Sequence, residues 1–159
     1  MPGEEHVSTG PDLLRRCHAD FRWDDVQRMP YKEDGAAPFY AIARQVLFAA
    51  PELGCALRVF EMAAGGYSTL ERHQHAHAVM ILRGAVRCLL GETVPAMGAF
   101  DLVSILAWTW HQFRASAAAP MGFLCMVNAE RDKPELPDAG KWRGCGGGGG
   151  GGVFWGRGS

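Results

Sequence analysis

Three of the six histidines lie in one heptapeptide, residues 71–77 (ERHQHAH), and a further one, His111, follows 34 residues after His77. Imidazoles together with the carboxylate of Glu71 form a borderline ligand set that suits Fe, Mn, Ni, Cu or Zn rather than Ca or Mg. Three imidazoles and one carboxylate leave one or two positions open on a five- or six-coordinate ion for water, dioxygen or a chelating substrate. The residue types therefore predict a mononuclear transition-metal site.

A shared site requires the chain to turn between His73 and His77. Side chains at i and i+2 of a strand share a face, so Glu71 and His73 can point together. A straight strand would hold His77 about 20 Å from Glu71, at about 3.3 Å per residue, whereas metal–ligand bonds are only about 2 Å long. We therefore expect His77 to open a returning strand and His111 to arrive from a later one.

Spacing alone leaves the role of His75 open. By parity it shares the face of Glu71 and His73 and could replace Glu71 as a ligand, although the required turn places it at the bend. Outside the ligand shell it is a possible acid or base near the mouth of the site. The competing interpretation is a surface strand that acquires metal incidentally, with His111 a hydrogen-bonded core histidine.

Short β-strands must position these residues. Turn signals such as Gly65-Gly66 and Gly84 separate eight candidate strands, and this pattern with little room for helices predicts an all-β sandwich or barrel. Residues 36–50 also admit a helical interpretation because alanine is plentiful there, but the alternation through this segment favours a strand. The candidate strands are 40–48, 56–62, 69–73, 78–83, 85–90, 101–106, 112–115 and 121–127.

Composition divides the chain into three predicted parts. Residues 1–36 are polar and charged and should form an N-terminal arm, with one short helical turn around residues 13–19. Residues 37–134 should form the β-barrel domain. Residues 135–159 include seven consecutive glycines, which offer no side chains to bury and have high backbone entropy, so we expect a disordered low-complexity tail.

Charge and cysteine content exclude several function classes. A net charge of −1 over 159 residues, without a clustered basic segment, argues against a nucleic-acid binder. No apolar run approaches the roughly 18 residues of a membrane span, and the polar, acidic N-terminus does not resemble a secretory signal. Five scattered cysteines without a C-x-x-C pair indicate reduced thiols, so we expect a cytoplasmic protein.

The spacing of the ligand candidates resembles the first motif of the cupin family, G-x5-H-x-H-x3,4-E-x6-G. Gly65, Glu71, His73, His77 and Gly84 occupy these positions with every spacing kept. Glutamate stands where the first histidine is usual, and histidine stands in the glutamate position. Since both substitutes can bind metal, the exchange keeps the number of candidate ligands.

The second cupin motif, G-x5-P-x-G-x2-H-x3-N, keeps only its histidine, as His111. Phe100 stands in a glycine position whose turn favours positive φ, and we expect Gly98 to take that strain instead. The segment around His111 nevertheless resembles a bacterial subgroup of single-domain cupins, and the likeness extends over roughly residues 40–134. The remaining motif positions hold Leu106, Trp108 and Ala115.

The resemblance implies a double-stranded β-helix, or jelly-roll barrel, that holds one divalent transition metal. Its ligands would be Glu71, His73, His77 and His111, with His75 outside the ligand shell. Among the possible metals we favour Fe(II), which could bind a chelating substrate and dioxygen at adjacent open positions.

Alternation along the later strands predicts the walls of the pocket. Thr109 and Phe113 should border the ligand face of His111, while Thr109 or Gln112 are candidates to fix imidazole tautomers. Cys125 could line the pocket, although an apolar filler is the commoner role of such a cysteine.

The predicted site indicates a class of function. We expect a metal-dependent oxidoreductase of the dioxygenase type acting on a small organic substrate; the alternative is a non-catalytic cupin that binds metal or a small molecule as a sensor or store. An arginine inside the barrel would favour an enzyme acting on an acid, and Arg44, Arg58 and Arg87 are the candidates. Exposed strand edges on a small barrel predict a homodimer, with neither nucleic acid nor membrane as partner.

Overall fold

A single curled antiparallel sheet makes up most of the computed structural model, which describes residues 14–32 and 37–138. In this described part the order of the sheet is β6-β5-β8-β3-β9-β4-β7, with β2 paired to β3 and β1 paired to β2. A short 3-10 helix over Pro51–Leu53 joins β2 to β3. The strands are β1 (Arg28–Pro30), β2 (Tyr40–Ala50), β3 (Cys55–Tyr67), β4 (His77–Arg83), β5 (Val86–Leu90), β6 (Ala96–Met97), β7 (Leu102–Ile105), β8 (His111–Ala115) and β9 (Met121–Asn128).

The predicted all-β class is confirmed, and seven of the eight candidate strands appear with shifted ends. The strand predicted over residues 69–73 is wrong, because only isolated bridges form there, Glu71 with His111 and Arg72 with Glu135. The helical turn expected near residues 13–19 is also wrong within its described part, where Cys17 bridges to Trp23 instead. The periodicity did not predict β1 and β6, which are only three and two residues long.

Apolar side chains on the concave face of the sheet form the core and also the walls of a cavity. Phe123 on β9 stacks between two other rings, with centroids 5.1 Å from Phe60 and 4.6 Å from Phe113. All three rings are at least nine-tenths buried. Because such rings contribute large buried apolar areas, this stack holds β3, β8 and β9 against one another beneath the histidine cluster.

Both glycines of the first motif occupy conformations that favour glycine. Gly65 has φ +74° and Gly84 has φ +78°, the left-handed region. A Cβ at Gly84 would lie 2.4 Å from the carbonyl oxygen of Pro120. The motif therefore marks two backbone turns, which lie at the end of β3 and just after β4.

The expectation that Gly98 relieves the strain at Phe100 is wrong. Phe100 itself has φ +71°, and Gly98 is not among the positive-φ residues of the described chain. The turn is held by its hydrogen bonds, since the Phe100 N–H donates to the Ile81 carbonyl at 2.7 Å and the Gly98 N–H donates to the Asp101 carboxylate at 2.8 Å. These contacts hold a phenylalanine in a left-handed conformation.

Phe100→Gly is expected to stabilise the protein by about 0.5–1 kcal/mol. A left-handed conformation costs an L-residue about 1–2 kcal/mol, and glycine avoids this cost. Glycine also has more conformational freedom in the unfolded chain, which offsets about 0.5–1 kcal/mol of the gain. The Phe100 ring is 76% exposed, so its removal loses little burial. Urea unfolding measures the change. Phe100→Ala removes the same ring but keeps the strain, so equal stability of the two variants would contradict this explanation.

Segments on both sides of the barrel domain contact it. Phe21, from the predicted arm, lies against Gly122, and the Arg83 guanidinium lies 3.9 Å from the centroid of the Phe21 ring. Of the predicted tail, residues 135–138 are described and Glu135 pairs with Arg72, whereas residues 139–159 lie outside the described residues.

Four of the five cysteines lie among the described residues, and the sheet ends in an edge strand. Cys17, Cys55, Cys88 and Cys125 are free thiols, and Cys145 lies outside the described residues. Within residues 14–32 and 37–138, no helix is long and apolar enough to cross a membrane. The sheet ends at β7, where Leu102 is 61% exposed, and the homodimer expected from such an edge stays a prediction.

Candidate metal centre

Three histidines converge because a bend and two strand starts meet at one end of the sheet. The chain bends at Gln74 and His75, β4 begins at His77, and β8 begins at His111. The ring nitrogens that His73, His77 and His111 could offer to a metal lie within 4.8 Å of one another. The predicted turn before His77 and the predicted returning strand are confirmed.

Hydrogen bonds fix the tautomers of two of these imidazoles. Nδ1 of His73 lies 2.7 Å from the carbonyl oxygen of His75, and Nδ1 of His111 lies 2.9 Å from that of Thr109. A carbonyl oxygen only accepts, so each Nδ1 carries the proton and each Nε2 keeps a free lone pair. This is the protonation pattern that a metal-binding histidine needs.

His77 carries a buried nitrogen that no group in the described part of the chain satisfies. Its Nε2 is without a hydrogen-bond partner, while its Nδ1 lies 3.3 Å from Sγ of Cys125. A buried, unpaired polar atom is costly unless something outside the chain satisfies it. With two neighbouring imidazoles in reach, a divalent transition metal fits this position.

Burial keeps these imidazoles neutral. It lowers the pKa of His77 to about 2 and that of His111 to about 4, and the neighbouring imidazoles add to the effect at His77. The pKa of His73 is also lowered, with burial the largest cause. All three histidines are therefore available as neutral ligands at physiological pH.

The metal-free protein is expected to lose stability between pH 7.5 and pH 5. His77 and His111 titrate near 6.5 when unfolded and well below that when folded, so the unfolded chain takes up protons that the folded chain excludes. Stability that is present above pH 6.5 is thus lost as the pH falls, by about 2 kcal/mol for each histidine at pH 5. Urea unfolding at the two pH values measures the loss, and His111→Gln should reduce it by about half; an unchanged loss in that variant would contradict the assignment.

Glu71 is placed beside the cluster but outside the group of three. Its backbone pairs with that of His111, through N–H···O contacts of 3.2 and 3.0 Å. Its carboxylate forms an ion pair with Lys32, a residue for which the sequence contained no signal. Glu71 as a fourth ligand stays a prediction.

His75 lies at the bend, beside the cluster and stacked on one of its members. Its ring is parallel to that of His73 at a centroid distance of 3.6 Å, and its Nδ1 lies 2.7 Å from Oδ1 of Asp132. Asp132 also accepts from the backbone N–H groups of Gln74 and His75, at 2.7 and 2.9 Å, and these bonds lower the pKa of that carboxyl. Sequence reasoning missed Asp132, since no motif spacing links it to the heptapeptide. A role for His75 as acid or base stays a prediction.

The cluster opens into a cavity of about 220 Å³ between the sheet and the loops. Phe113 and Cys125, two of the three predicted wall residues, line it. Thr109 acts through its backbone carbonyl, which holds the tautomer of His111. Gln112 does not share that task, because its side-chain amide donates to the carbonyl of Ser68 at 2.9 Å.

Charge around this cavity is predominantly positive. Two of the arginines considered above, Arg44 and Arg58, line it, whereas Arg87 is exposed on β5. Both lining carboxylates are engaged by other groups, as described for Glu71 and Asp132. The cationic lining residues are Lys32, Arg44, Arg58 and Arg131.

Comparisons with known proteins agree with this architecture. Residues 58–127 match the family model described as a cupin domain. The chain is 55% identical over 124 residues to 1-methylthio-D-xylulose 5-phosphate methylsulfurylase of Rhodospirillum rubrum. The aligned region covers 78% of this chain and 80% of that protein.

Crystal structures similar to this chain include those of two bacterial cupin-2 proteins. A cupin 2 conserved barrel domain protein from Rhodopseudomonas palustris has a TM-score of 0.74 and 56% identity, over 79% of this chain and 87% of the other. A cupin-2 domain protein from Rhodospirillum rubrum has a TM-score of 0.71 and 53% identity, over 79% of this chain and 84% of the other. The predicted jelly-roll fold class is thereby confirmed.

Proposed function

This chain belongs to the cupin family, and from that premise we propose that it is a metal-dependent enzyme that removes the methylthio group from a 1-methylthio ketose 5-phosphate. One observation carries the proposal: a thiol, Sγ of Cys125, lies 3.3 Å from a histidine of the candidate metal centre and faces the same cavity. The substrate class is taken from the name of the R. rubrum relative.

The bond to be broken is activated by its position in such a substrate. In a 1-methylthio-2-ketose the C1–S bond lies next to the C2 carbonyl, so C1 can leave with the electron pair as an enolate. A divalent transition metal held by His73, His77 and His111, chosen from Fe, Mn, Ni, Cu or Zn, would supply a Lewis acid for the carbonyl and hydroxyl oxygens. The chain itself must then supply an acceptor for the methylthio group.

Cys125 is that acceptor in our proposal. Its thiolate attacks the thioether sulfur, an S–S bond forms, the C1–S bond breaks, and the electron pair passes to the enolate. C1 then gains one proton, which balances the proton lost by the thiol, and the products are a 1-deoxyketose 5-phosphate and Cys125 as its methyl disulfide. A low-molecular-weight thiol releases the enzyme by thiol–disulfide exchange and leaves as the mixed methyl disulfide.

Neighbouring groups prepare this sulfur for attack. Burial raises the pKa of the Cys125 thiol, while the positive charge of Arg58 acts in the opposite direction. One guanidinium nitrogen of Arg58 lies 3.9 Å from Sγ, and Nδ1 of His77 is in position to donate to a thiolate. The phenylalanine rings of the cavity wall exclude water from the reacting atoms.

The test is a turnover assay under nitrogen with 1-methylthio-D-xylulose 5-phosphate, metal-loaded protein and dithiothreitol. We expect equal amounts of 1-deoxy-D-xylulose 5-phosphate and methanethiol, because the second thiol of dithiothreitol displaces methanethiol from the mixed disulfide. NMR and mass spectrometry measure the two products. Absence of both products with fully metallated protein would overturn the proposal.

A dioxygenase is the second candidate function. Three neutral imidazoles leave adjacent coordination positions open beside an aromatic cavity, which suits an Fe(II) site that binds a chelating substrate together with dioxygen. Oxygen uptake with Fe(II)-loaded protein and a panel of enolisable diketones, thiols and phenolics would support it. Stoichiometric metal without turnover in either assay would favour a sensor or storage protein.

A further inference from the structure

We infer that Arg44 and Arg58 form an anion subsite that holds the phosphate group of the substrate, an inference that rests on the proposed function. Both side chains line the cavity of the candidate metal centre. The sequence predicts that both lie on strands, but alternation alone does not determine whether their side chains face the barrel interior or the solvent.

The register of the sheet places the two guanidinium groups on one face. Arg44 on β2 pairs with Phe60 on β3, and Arg58 stands two residues before Phe60 on the same strand. Diagonal neighbours of this kind lie about 7–8 Å apart and are within reach of long side chains. The two arginines can therefore contact one anion from adjacent strands.

No carboxylate of residues 14–32 and 37–138 pairs with Arg44 or Arg58. The carboxylates that pair with Arg28, Arg72 and Arg83, namely Glu61 and Glu135, contact neither Arg44 nor Arg58. The Nε atoms of Arg44 and Arg58 are buried and have no hydrogen-bond partner. A buried N–H donor without a partner is costly, and an anion that accepts a hydrogen bond from it removes that cost.

Phosphate matches these donors better than a carboxylate does. Guanidinium groups bind phosphate oxygens through paired hydrogen bonds, and two such groups match the charge of a phosphate monoester dianion. The carboxylates that line the cavity, Glu71 and Asp132, already pair with Lys32 and His75. The negative charge that faces Arg44 and Arg58 must therefore come from the ligand.

The position of the subsite fits the length of a ketose phosphate. Arg44 lies on β2 and His77 on β4, and β3 and β9 lie between these strands. Three strand spacings of about 4.8 Å separate the two backbones by about 14 Å, and side chains from both sides shorten that distance. C1 would then lie near the histidines and Cys125, and the phosphate near Arg44. Arg58, one of whose guanidinium nitrogens lies 3.9 Å from Sγ of Cys125, would reach the phosphate from between the two ends of the sugar.

The experiment compares the binding of two unreactive ligands, D-xylulose 5-phosphate and D-xylulose, to metal-loaded protein by calorimetry. We expect wild-type protein to bind the phosphate ester at least about 100-fold more tightly. Arg44→Met should weaken binding of the ester by about 30–100-fold and that of xylulose by less than twofold, because only the ester loses a charge-assisted contact. Arg87→Met, which removes an exposed arginine from β5, is the matched control and should change neither.

Each outcome separates this inference from the proposed function. Equal binding of the two ligands by wild-type protein, or equal weakening of both in Arg44→Met, would overturn the subsite. Arginine-dependent binding of the ester without turnover of the thioether would keep the subsite and overturn the proposed reaction. Metal content and circular dichroism of Arg44→Met confirm that the variant is folded, and partial recovery in Arg44→Lys would support a direct charge contact.

Discussion

Cys125→Ser is expected to lower the rate of methylthio removal by at least about 10³-fold while the metal content stays at that of wild-type protein. A serine hydroxyl is close in shape to the thiol, but it cannot form the S–S bond that accepts the methylthio group. His77 keeps its Nε2 toward the other imidazoles in this variant, since only its Nδ1 faces Cys125. Anaerobic turnover and elemental analysis measure the two effects.

A matched control separates chemistry from packing. Cys55→Ser changes a partly exposed cysteine at the start of β3 and should leave turnover unchanged. Intact-protein mass spectrometry of the wild type, incubated with substrate but without an external thiol, should show the added mass of one methylthio group, and Cys125→Ser should show none. If Cys125 is only an apolar filler, the rate in Cys125→Ser will stay within a few-fold of wild type.

His77→Ala and His111→Ala are each expected to remove most of the bound metal, with affinity lowered by at least about 100-fold. Each variant leaves only two of the three clustered imidazoles, and two ligands hold a divalent ion far more weakly than three. His75→Ala should keep the metal largely intact, because the Nδ1 of that ring faces Asp132. Elemental analysis after dialysis measures the metal content of all three variants.

Two results would contradict this assignment in different ways. Equal loss of metal in all three variants would mean that His75 is a ligand and that the bend is placed wrongly. Metal retained in all three would mean that no site exists at the cluster. Glu71→Gln adds a test of the fourth ligand, since retention of metal there would limit the protein ligands to the histidines.

Local pattern accounts for most of the strands and for the histidines of the candidate metal site. Alternation and turn residues predict strands whose ends lie within two residues of those observed, because both signals are local; the exception is β3, which continues to Tyr67. The segment 69–73 shows the limit of this reasoning: it alternates like a strand, yet it forms isolated bridges to β8 and to Glu135. Whether an extended segment joins a sheet depends on the partner available to it, which local sequence does not contain.

Phe100 shows the same limit at a single residue. The sequence suggested that a nearby glycine would take the strain of the turn, but the hydrogen bonds to Ile81 and Asp101 hold the left-handed conformation at Phe100 itself. Contacts with residues outside the turn determine which of its residues adopts the strained backbone conformation, and those contacts follow from the fold.

The residue types alone determined that this chain carries a cluster of histidines suited to a transition metal on a β scaffold, because ligand chemistry and strand periodicity are properties of neighbouring residues. Only the tertiary structure decided which groups complete that site. Asp132 at the bend, Lys32 beside Glu71, Cys125 against His77 and the two inward arginines come from segments far apart in sequence. Their association depends on strand order and register, and these arise from packing of the whole sheet rather than from any local motif.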